Sequence, residues 1–368
     1  MHDSTVSPEE RLATFRKCRH SLAGHPRRPL AEVLADLAAG LSDETRPDVY
    51  GTGQLIEDFE KKIARTLGKP AAVFMPSGTM AQPIALRIWS DRKRIRNVGF
   101  HATSHLELHE HKAYSVLHDL EGVVLGDRHR ILTLEDLEKC ALPLAASLYE
   151  LPQREIGGAL PAWEELTKMS NWARERDIAF HMDGARLWES QPFYGRSHAE
   201  IAALFDSVYV SFYKGLGGIT GAVLAGDQKL IAEAKIWQRR QGGNLYTLFP
   251  YVLSADRAFD SRLARMGAYR DKALEVAEIL REFPEVSITP DPPHTNMMHA
   301  HFRAPLAQLE RASFEIARDL DLALFYRFEP TAVPGTFSAE ISMGDSSLEL
   351  PREKLREGLE QFILRIRR

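Results

Sequence analysis

One segment of the chain reads Ser211-Phe212-Tyr213-Lys214-Gly215-Leu216-Gly217-Gly218 and overlaps the end of the apolar run 208–211. A lysine in a glycine-rich turn after a buried strand is poorly placed for solvation. Such an amine can have a lowered pKa and attack an aldehyde. The glycines allow the backbone to approach a bound ligand closely. A loop lysine that extends to water is the alternative, so the interpretation depends on the rest of the sequence.

Short apolar runs recur on both sides of this segment, and helical patterns lie between several of them. Short buried strands that alternate with helices predict an α/β fold, with a mostly parallel sheet covered by helices on both faces. For the last of these strands, an antiparallel pairing with its neighbour is one option. The predicted strands are 71–75, 98–100, 123–125, 145–149, 179–182, 208–211 and 217–225, and the predicted helices are 30–41, 54–67, 79–89, 134–140 and 162–176.

The pattern changes after about residue 255, where a long helix is predicted over 255–283. Strands at 286–288, 297–302 and 323–328 and a final helix at 352–367 follow, which is typical of a smaller α+β domain. The predicted division is an N-terminal arm and helix (1–50), a large ligand-binding domain (51–255) and a small C-terminal domain (256–368).

Composition indicates an ordinary globular protein, with 368 residues, a formal net charge of -4 and 44% hydrophobic residues. The balanced charge argues against a nucleic-acid partner. No apolar window is long enough to span a membrane, and Met1-His2-Asp3-Ser4 does not open a signal peptide. Cys18 and Cys140 fit a reducing compartment, so a cytoplasmic protein is expected.

Two further segments follow predicted strands. Ser77-Gly78-Thr79 begins a helix, and free N–H groups at a helix start bind phosphate, although capping is the commoner reason for Ser and Thr there. His181-Met182-Asp183-Gly184-Ala185-Arg186 places an acid where it can bind a protonated pyridine nitrogen, with Arg186 in reach of a ring oxygen or a substrate carboxylate. A surface Asp–Arg pair is the alternative. In open α/β sheets, ligands bind outside the carboxyl ends of the strands, where these segments lie.

The stretch 101–111 contains His101, His105, His109 and His111. A run of histidines is typical of a metal site, but no cysteine joins it and no third-ligand motif follows, so no metal is expected. A flat imidazole can instead stack on a cofactor ring and take part in proton transfer.

Together these segments resemble the threonine aldolase / aromatic amino acid β-eliminating lyase family, whose members are pyridoxal-phosphate (PLP) enzymes of the aspartate aminotransferase-like fold type I. The resemblance implies a large PLP-binding domain with a mostly parallel seven-stranded sheet and a smaller α+β C-terminal domain. It extends from Asp48 to at least Leu224. The motifs that carry it, in the family's order and spacing, are Tyr50-Gly51, Met75-Pro76-Ser77-Gly78-Thr79-Met80-Ala81, Gly157-Gly158, His181-Met182-Asp183-Gly184-Ala185-Arg186-Leu187 and residues 211–217.

The resemblance implies a role for each motif. Lys214 would hold PLP as a Schiff base, Asp183 would bind the pyridine nitrogen and Arg186 the ring 3′-oxygen. His105, with Glu110 five residues later, matches the family's ring-stacking histidine and its following glutamate. Family enzymes are homotetramers or homodimers with sites completed across a subunit interface. The remaining candidates are Ser77, Gly78 and Thr79 for the phosphate, Ser211 for the cofactor, and Tyr50 and Arg186 for the substrate, with Tyr50 reaching a neighbour's site.

The substrate-binding half departs from the family's pattern. The family opens with Arg-Ser-Asp-Thr, where this chain reads Cys18-Arg19-His20-Ser21-Leu22. The family clamps the substrate carboxylate with an arginine in Arg-x-Val-Thr-His, where Ala339-Glu340-Ile341-Ser342-Met343 has none. Arg19 and Arg327 are candidate replacements. Two further departures are Gln82 in place of an asparagine and Gly242-Gly243-Asn244-Leu245-Tyr246 in place of the glycine-rich segment with its arginine.

The leading functional hypothesis is a carbon–carbon lyase of amino acid metabolism. It would cleave a β-hydroxy-α-amino acid to glycine and an aldehyde, with His105, or a water it positions, as the base for the β-hydroxyl proton. The altered carboxylate region motivates a second hypothesis, PLP-dependent β-elimination on another amino acid. A third is a PLP-fold protein with a binding or regulatory role. An NAD-binding Rossmann fold fits less well, because Ser77-Gly78-Thr79 is not a G-x-G-x-x-G pattern.

Overall fold

The computed structural model describes residues 7–367 of the chain, which form two units. The large unit consists of residues 30–155 and 160–264, and the small unit of residues up to 29, 156–159 and from 265 onward. The division predicted at residues 50 and 255 stays a prediction. The expectation about a signal peptide concerns residues 1–4, which lie outside the described range.

The strands among residues 7–367 are β1 (His20–Ser21), β2 (Ala71–Met75), β3 (Asn97–His101), β4 (Glu121–Leu125), β5 (Ala146–Glu150), β6 (Ala179–Gly184), β7 (Ser207–Ser211), β8 (Ala222–Gly226), β9 (Val286–Thr289), β10 (Met297–Phe302), β11 (Leu322–Ala323), β12 (Glu329–Pro330) and β13 (Phe337–Ser342). The helices are α1 (Pro8–Lys17), α2 (Leu30–Ala38), α3 (Gln54–Thr66), α4 (Gly78–Lys93), α5 (His105–Leu108), α6 (Ala113–Val116), α7 (Leu134–Glu138), α8 (Trp163–Glu175), α9 (Gln191–Tyr194), α10 (His198–Ala202), α11 (Gln228–Arg240), α12 (Phe249–Arg262), α13 (Met266–Leu280), α14 (Leu306–Leu320), α15 (Asp345–Leu348) and α16 (Arg352–Ile366).

A seven-stranded sheet lies at the centre of the large unit, in the order β2-β8-β7-β6-β5-β3-β4. The neighbours from β7 to β4 pair parallel. β8 is antiparallel to both β7 and β2. The predicted fold class, a mostly parallel seven-stranded sheet, is therefore confirmed, and so is the antiparallel option for the strand after Lys214.

Helices cover the middle of this sheet because the central strands have no solvent-exposed face. β6, β7 and β8 are buried along their whole length, as expected for strands packed on both sides. α4 and α11 pack on one face through apolar residues such as Ile84 and Leu230. α4 begins where the Ser77 side chain accepts a hydrogen bond from the N–H of Thr79, which satisfies one free donor of the helix start.

The small unit contains the four-stranded antiparallel sheet β12-β13-β10-β9. A separate pair joins β1 to β11 in parallel, so residues 20–21 bond to residues 322–323. Phe15 of α1 packs with Ala317 and Ala323 in a small core cluster. The first residues of the described chain therefore belong to the same unit as the last.

Three predicted elements differ from the structure. The helix predicted at 255–283 is two helices, α12 and α13, separated by the 3-10 turn Leu263–Arg265, where the chain passes from the large unit to the small one. Only Ala323 of the strand predicted at 323–328 lies in a strand, because Phe325 and Phe328 pack against other phenylalanine rings instead of joining a sheet. Residues 217–221 form a loop before β8.

Among residues 7–367, no helix is long and apolar enough to cross a membrane.

Candidate active site

Parallel strands bring the sequence motifs to one edge of the central sheet. Glu150, Asp183 and Tyr209 lie side by side there, because β5, β6 and β7 are neighbours in register. The segment with His105 follows the carboxyl end of β3, and the segment with Lys214 follows that of β7. This is the edge at which ligands bind in open α/β sheets.

Asp183 ends β6 as a buried carboxylate, with only 2% of its surface exposed. Its Oδ1 accepts a hydrogen bond from the N–H of Ala185 at 3.1 Å, and the Gln82 side chain bonds to it as well. Burial is the largest influence on its pKa and raises it, while these hydrogen bonds and the nearby His105 act in the opposite direction. A cation placed at this carboxylate would offset the cost of burying its charge.

Glu150 is a second acid at this edge, which the sequence reasoning missed. Burial, followed by the charge of its neighbour Asp183, raises the pKa of Glu150 to about 8, while the backbone N–H of Arg154 and the Arg186 guanidinium favour its ionised form. The N–H of Arg154 lies 3.1 Å from Glu150 Oε1. Because Asp183 lies beside Glu150, its negative charge favours the protonated form of Glu150. Its position directly after the apolar run 145–149 is the signal that could have revealed it.

The predicted phosphate site lies at the start of α4, beside Tyr209. Gly78 is buried there, Ser77 is half-buried and Thr79 is exposed. A Cβ added to Gly78 would come within 2.0 Å of Tyr209 Oη, so only glycine allows this phenol to reach the helix start. Tyr209 was not singled out from the sequence, because it lies inside the apolar run of β7.

Lys214 lies beside a pair of tyrosines. Its Nζ is 4.9 Å from the centroid of the Tyr213 ring, and the hydroxyls of Tyr213 and Tyr209 hydrogen bond to each other. A Cβ at Gly215 would come within 2.1 Å of Oε1 of the buried Glu189. The glycine after the lysine is thus required by close packing against an acid that sequence reasoning also missed.

His105 is held by a carboxylate. Its Nδ1 lies 2.8 Å from Oε1 of Glu110, whose side chain is buried. The pKa of Asp183 responds to His105 and to Glu110, which places this pair within electrostatic range of the β6 carboxylate. Since Nδ1 of His105 faces a carboxylate, the ring proton lies on Nδ1 and Nε2 can accept a proton.

Two other histidines of the run, His101 and His109, bind separate partners. His109 Nε2 lies 3.1 Å from Glu155 Oε1, and its ring centroid is 5.0 Å from that of His105. His101 Nδ1 bonds to the hydroxyl of Thr103 at 2.8 Å. Within residues 7–367, no three His, Cys, Asp or Glu side chains are grouped as metal ligands.

The other predicted site residues have different surroundings. Ser211 Oγ donates to the carbonyl of Ala185 at 2.8 Å, so its hydroxyl fixes the turn that carries Arg186. Tyr50 lies against the ring of Tyr246, with the Arg239 guanidinium above it. In the small unit, Arg19 forms an ion pair with Asp321 and Arg327 with Glu329. Their proposed roles toward cofactor and substrate stay predictions.

Gln153 is a further residue that the sequence did not mark. Its side chain is fully buried just after β5, and neither its Oε1 nor its Nε2 has a hydrogen-bond partner in the described part of the chain. A buried amide without partners is rare in proteins and indicates a group from outside the chain, such as water or a ligand.

The residues at this edge fit PLP. A protonated pyridine nitrogen would give buried Asp183 the cation that it lacks in its immediate hydrogen bonds, and Lys214 supplies the amine. α4 offers the start of a sixteen-residue helix to the phosphate. The buried Glu110 carboxylate holds the His105 ring through Oε1. Its Oε2 has no hydrogen-bond partner among the described residues. The fold and this set of groups define a PLP-dependent enzyme of fold type I.

Comparison with known proteins gives the family. The sequence model of the family described as β-eliminating lyase matches residues 28–304, which is most of the chain. The chain belongs to this β-eliminating lyase family and is a PLP-dependent lyase.

Several proteins of similar sequence or structure are threonine aldolases by name. A candidate L-allo-threonine aldolase from Listeria monocytogenes superposes with a TM-score of 0.92 at 42% identity, over 98% of each chain. The low specificity L-threonine aldolase of Escherichia coli is 30% identical over 272 residues, 72% of this chain and 78% of that protein. The low-specificity L-threonine aldolase of Candida albicans is 28% identical over 76% of this chain and 75% of that protein. A Sphingomonas wittichii serine palmitoyltransferase shares the fold at 18% identity, with a TM-score of 0.65.

Proposed function

We propose that the protein cleaves the Cα–Cβ bond of a β-hydroxy-α-amino acid and releases glycine and an aldehyde. The observation that carries the proposal is the His105–Glu110 pair within electrostatic range of buried Asp183, on the same sheet edge as Lys214. The names of the relatives, threonine aldolases from bacteria and yeast, support the same reaction for this chain.

The residues divide the work of holding the cofactor. PLP, when bound, supplies an electron sink for the charge left on Cα when the bond to Cβ breaks. Asp183 would bind and orient the ring nitrogen, and Arg186 would bind the ring oxygen or the substrate carboxylate. Ser77, Gly78 and Thr79 would hold the phosphate at the start of α4, and Lys214 would supply the amine that holds the cofactor.

His105 removes the proton. With Nδ1 fixed by Glu110, Nε2 accepts the β-hydroxyl proton directly or through one water, and this transfer lets the carbonyl of the departing aldehyde form. The flat imidazole of His105 would also stack on the cofactor ring. Glu110 stabilises the imidazolium that results.

The test is an absorbance and product assay on the purified protein. A Schiff-base band near roughly 420 nm that Lys214→Ala removes, while the control Lys62→Ala leaves it in place, would support the lysine's role. Lys62 is a matched control because it pairs with Asp256 and Asp260 on the large unit instead. Release of glycine and aldehyde from L-threonine, L-allo-threonine or β-phenylserine is expected. No aldehyde from any of them would refute the reaction.

A second reaction, β-elimination, is favoured by one observation. The segment that should carry the carboxylate-clamping arginine falls on strand β13 and the residue after it, where Ala339 takes the arginine's position and no arginine is present. Release of pyruvate and ammonia from serine or cysteine, without glycine, would replace the aldolase proposal by this one.

We also propose that the enzyme is a homodimer or homotetramer of the cytoplasm. Helix α2 buries none of its residues within the chain, and its Leu30 and Leu34 are 81% and 63% exposed, as expected for a surface that a second copy covers. Both cysteines are free, which is typical of a reducing compartment. Light scattering after gel filtration should give a multiple of 41.5 kDa that Leu34→Glu reduces. A monomeric wild-type protein would contradict this.

A further inference from the structure

A row of buried polar groups extends from helix α4 across the central sheet to Asp183. Trp89 Nε1 lies 2.9 Å from Ser207 Oγ, and Ser207 Oγ lies 2.8 Å from Nδ1 of His181. His181 Nε2 lies 3.0 Å from Oε1 of Gln82, whose side chain also bonds to Asp183. The residues from Ser207 to Asp183 are at most 2% exposed. We call this row the Asp183 relay.

The partners at the two ends of the relay favour one direction of its hydrogen bonds. An indole N–H can only donate, so Ser207 Oγ accepts from Trp89 and its own proton is available for Nδ1 of His181. The proton of the neutral ring then lies on Nε2, which donates to Gln82 Oε1. The amide nitrogen of Gln82 is the group left to face Asp183.

The opposite direction fails at the other end. If Nδ1 of His181 carried the proton, Nε2 would accept from the Gln82 amide, and Gln82 Oε1 would face Asp183. Two acceptors would then meet unless Asp183 were protonated, and an unsatisfied pair of buried acceptors is costly. Burial also lowers the pKa of His181 to about 3, so the ring stays neutral and has one proton to place.

We propose that Trp89, Ser207 and His181 are positioning residues that turn the Gln82 amide so that its NH2 group, and not its oxygen, faces the carboxylate of Asp183. The relay thereby keeps Asp183 an ionised acceptor, fixed for a cationic ring nitrogen. This deepens the proposed function and depends on it only for the identity of that cation.

The surroundings of Asp183 explain why the Asp183 relay would be needed. Burial and the adjacent acids Glu150 and Glu110 oppose its negative charge. A donated hydrogen bond favours the ionised form, and Gln82 supplies one to this buried carboxylate. The Gln82 side chain is long enough to contact both His181 and Asp183.

The direct test is the tautomer of His181 in the PLP-loaded enzyme. Protein with nitrogen-15 histidine would be studied by long-range nitrogen–proton NMR at pH 7, with His181→Gln identifying the signal. A proton on Nε2 is expected. A proton on Nδ1, or on both nitrogens, would overturn the proposal. The measurement is made on the wild-type protein, and the His181→Gln variant serves only to assign the signal.

A matched pair of tryptophan variants tests the positioning role. Trp89 and Trp237 both pack on the same core cluster, but only Trp89 donates to Ser207. Trp89→Phe should mix the two His181 tautomers and weaken PLP binding by about threefold to tenfold, in the range of one hydrogen bond. Trp237→Phe should change neither. Equal effects of the two variants would reduce Trp89 to a packing residue and refute the relay.

Ser207 gives the conservative rescue. Ser207→Ala should lose the Nε2 tautomer and shift the pH dependence of the Schiff-base absorbance, while Ser207→Thr, which keeps the hydroxyl, should retain both. Failure of the wild-type protein to bind PLP at all would remove the proposed function, yet the tautomer measurement on the same chain would still decide the relay. An Nε2 proton with unaltered PLP affinity in Trp89→Phe and Ser207→Ala would refute the positioning role.

Discussion

Some residues at the sheet edge are required by close packing and not by the chemistry of the site. Gly78 and Gly215 each lie where a side chain would meet a buried polar atom, Tyr209 Oη in one case and Glu189 Oε1 in the other. These contacts fix the segments that carry the proposed phosphate site and the lysine. The polar groups of the site are therefore held in place by tight packing rather than by flexible loops.

Gly78→Ala should lower the free energy of unfolding by about 2–3 kcal/mol, because the new methyl would overlap the buried Tyr209 ring. PLP affinity should fall with it. Gly267→Ala in α13 is the control, since nothing lies within 4 Å of the added carbon, and a gain of about 0.5 kcal/mol is expected from helix propensity. Urea unfolding measures both. Equal free energies of unfolding for the two variants would show that the start of α4 or the Tyr209 ring shifts to make room for the added methyl group.

Some of these residues could be predicted from the sequence and others could not. Lys214, Asp183 and His105 stand in short motifs directly after strands, so local pattern alone places them at the sheet edge, where the structure has them. Gln82 lies inside α4, and Ser207 begins β7, so they meet His181 only through the sheet topology. Gln82 lies 99 positions and Ser207 26 positions from His181, so no local spacing signals either contact.

Elements were predictable where their apolar pattern was local. β2 and β10 have the predicted bounds, and α3, α8 and α16 agree within one residue at each end. The break between α12 and α13 has neither proline nor glycine at its turn, Leu263–Arg265, and results from the passage between units. Phe325 and Phe328 have strand-like hydrophobicity but fill a core instead of pairing.

Helix α7 offers a test of how one carboxylate stabilises an element. Asp136 accepts hydrogen bonds from the N–H and the hydroxyl of Thr133, at 3.0 and 2.8 Å, and from both terminal nitrogens of Arg130. The Arg130 guanidinium is the main cause that holds the pKa of Asp136 well below its usual range. The ionised form is thus the one that stabilises the folded chain.

Asp136→Asn should lower the free energy of unfolding at pH 7 by about 2 kcal/mol. The loss is no larger because Arg130 is half exposed, and solvent screens its attraction to the carboxylate. The deficit should persist above about pH 4, the unfolded pKa of an aspartate. It should shrink as the pH falls below this value, because the unfolded wild-type chain then gains a proton at Asp136 that the folded chain does not bind. Glu135→Gln on the same turn, whose ion pair with Lys139 is exposed, should leave the free energy of unfolding nearly unchanged. A deficit that does not depend on pH would point to lost packing.

At the scale of the whole molecule, buried neutral histidines should make the fold sensitive to acid. Burial lowers the pKa of His181 to about 3 and the pKa of His118 and His198 to about 4. An unfolded histidine titrates near about 6.5, so between that pH and about 4 the unfolded chain binds protons that the folded chain does not. Stability should fall as the pH drops through this window.

The expected loss is about 1.4 kcal/mol per pH unit for each such histidine. Urea unfolding at pH 7, 6 and 5 measures the slope, which should be shallower for His118→Gln and unchanged for the exposed His129→Gln. If stability changed with pH at the same slope in the wild-type protein, His118→Gln and His129→Gln, His118 would be protonated in the folded state without an energetic cost.

The pairing of β1 with β11 has a consequence for synthesis on the ribosome. The N–H of Leu22 donates to the carbonyl of Ala323, and the Ser347 hydroxyl donates to the carbonyl of Leu22, so this early segment is completed by residues translated about three hundred codons later. At about 5–20 residues per second, that is a wait of about 15–60 s. The large unit, which is nearly continuous in sequence, can fold during this interval, while residues 7–29 remain without their partners until the last helices emerge. Translation speed and chaperone protection of this leading segment should therefore govern the yield of the folded enzyme.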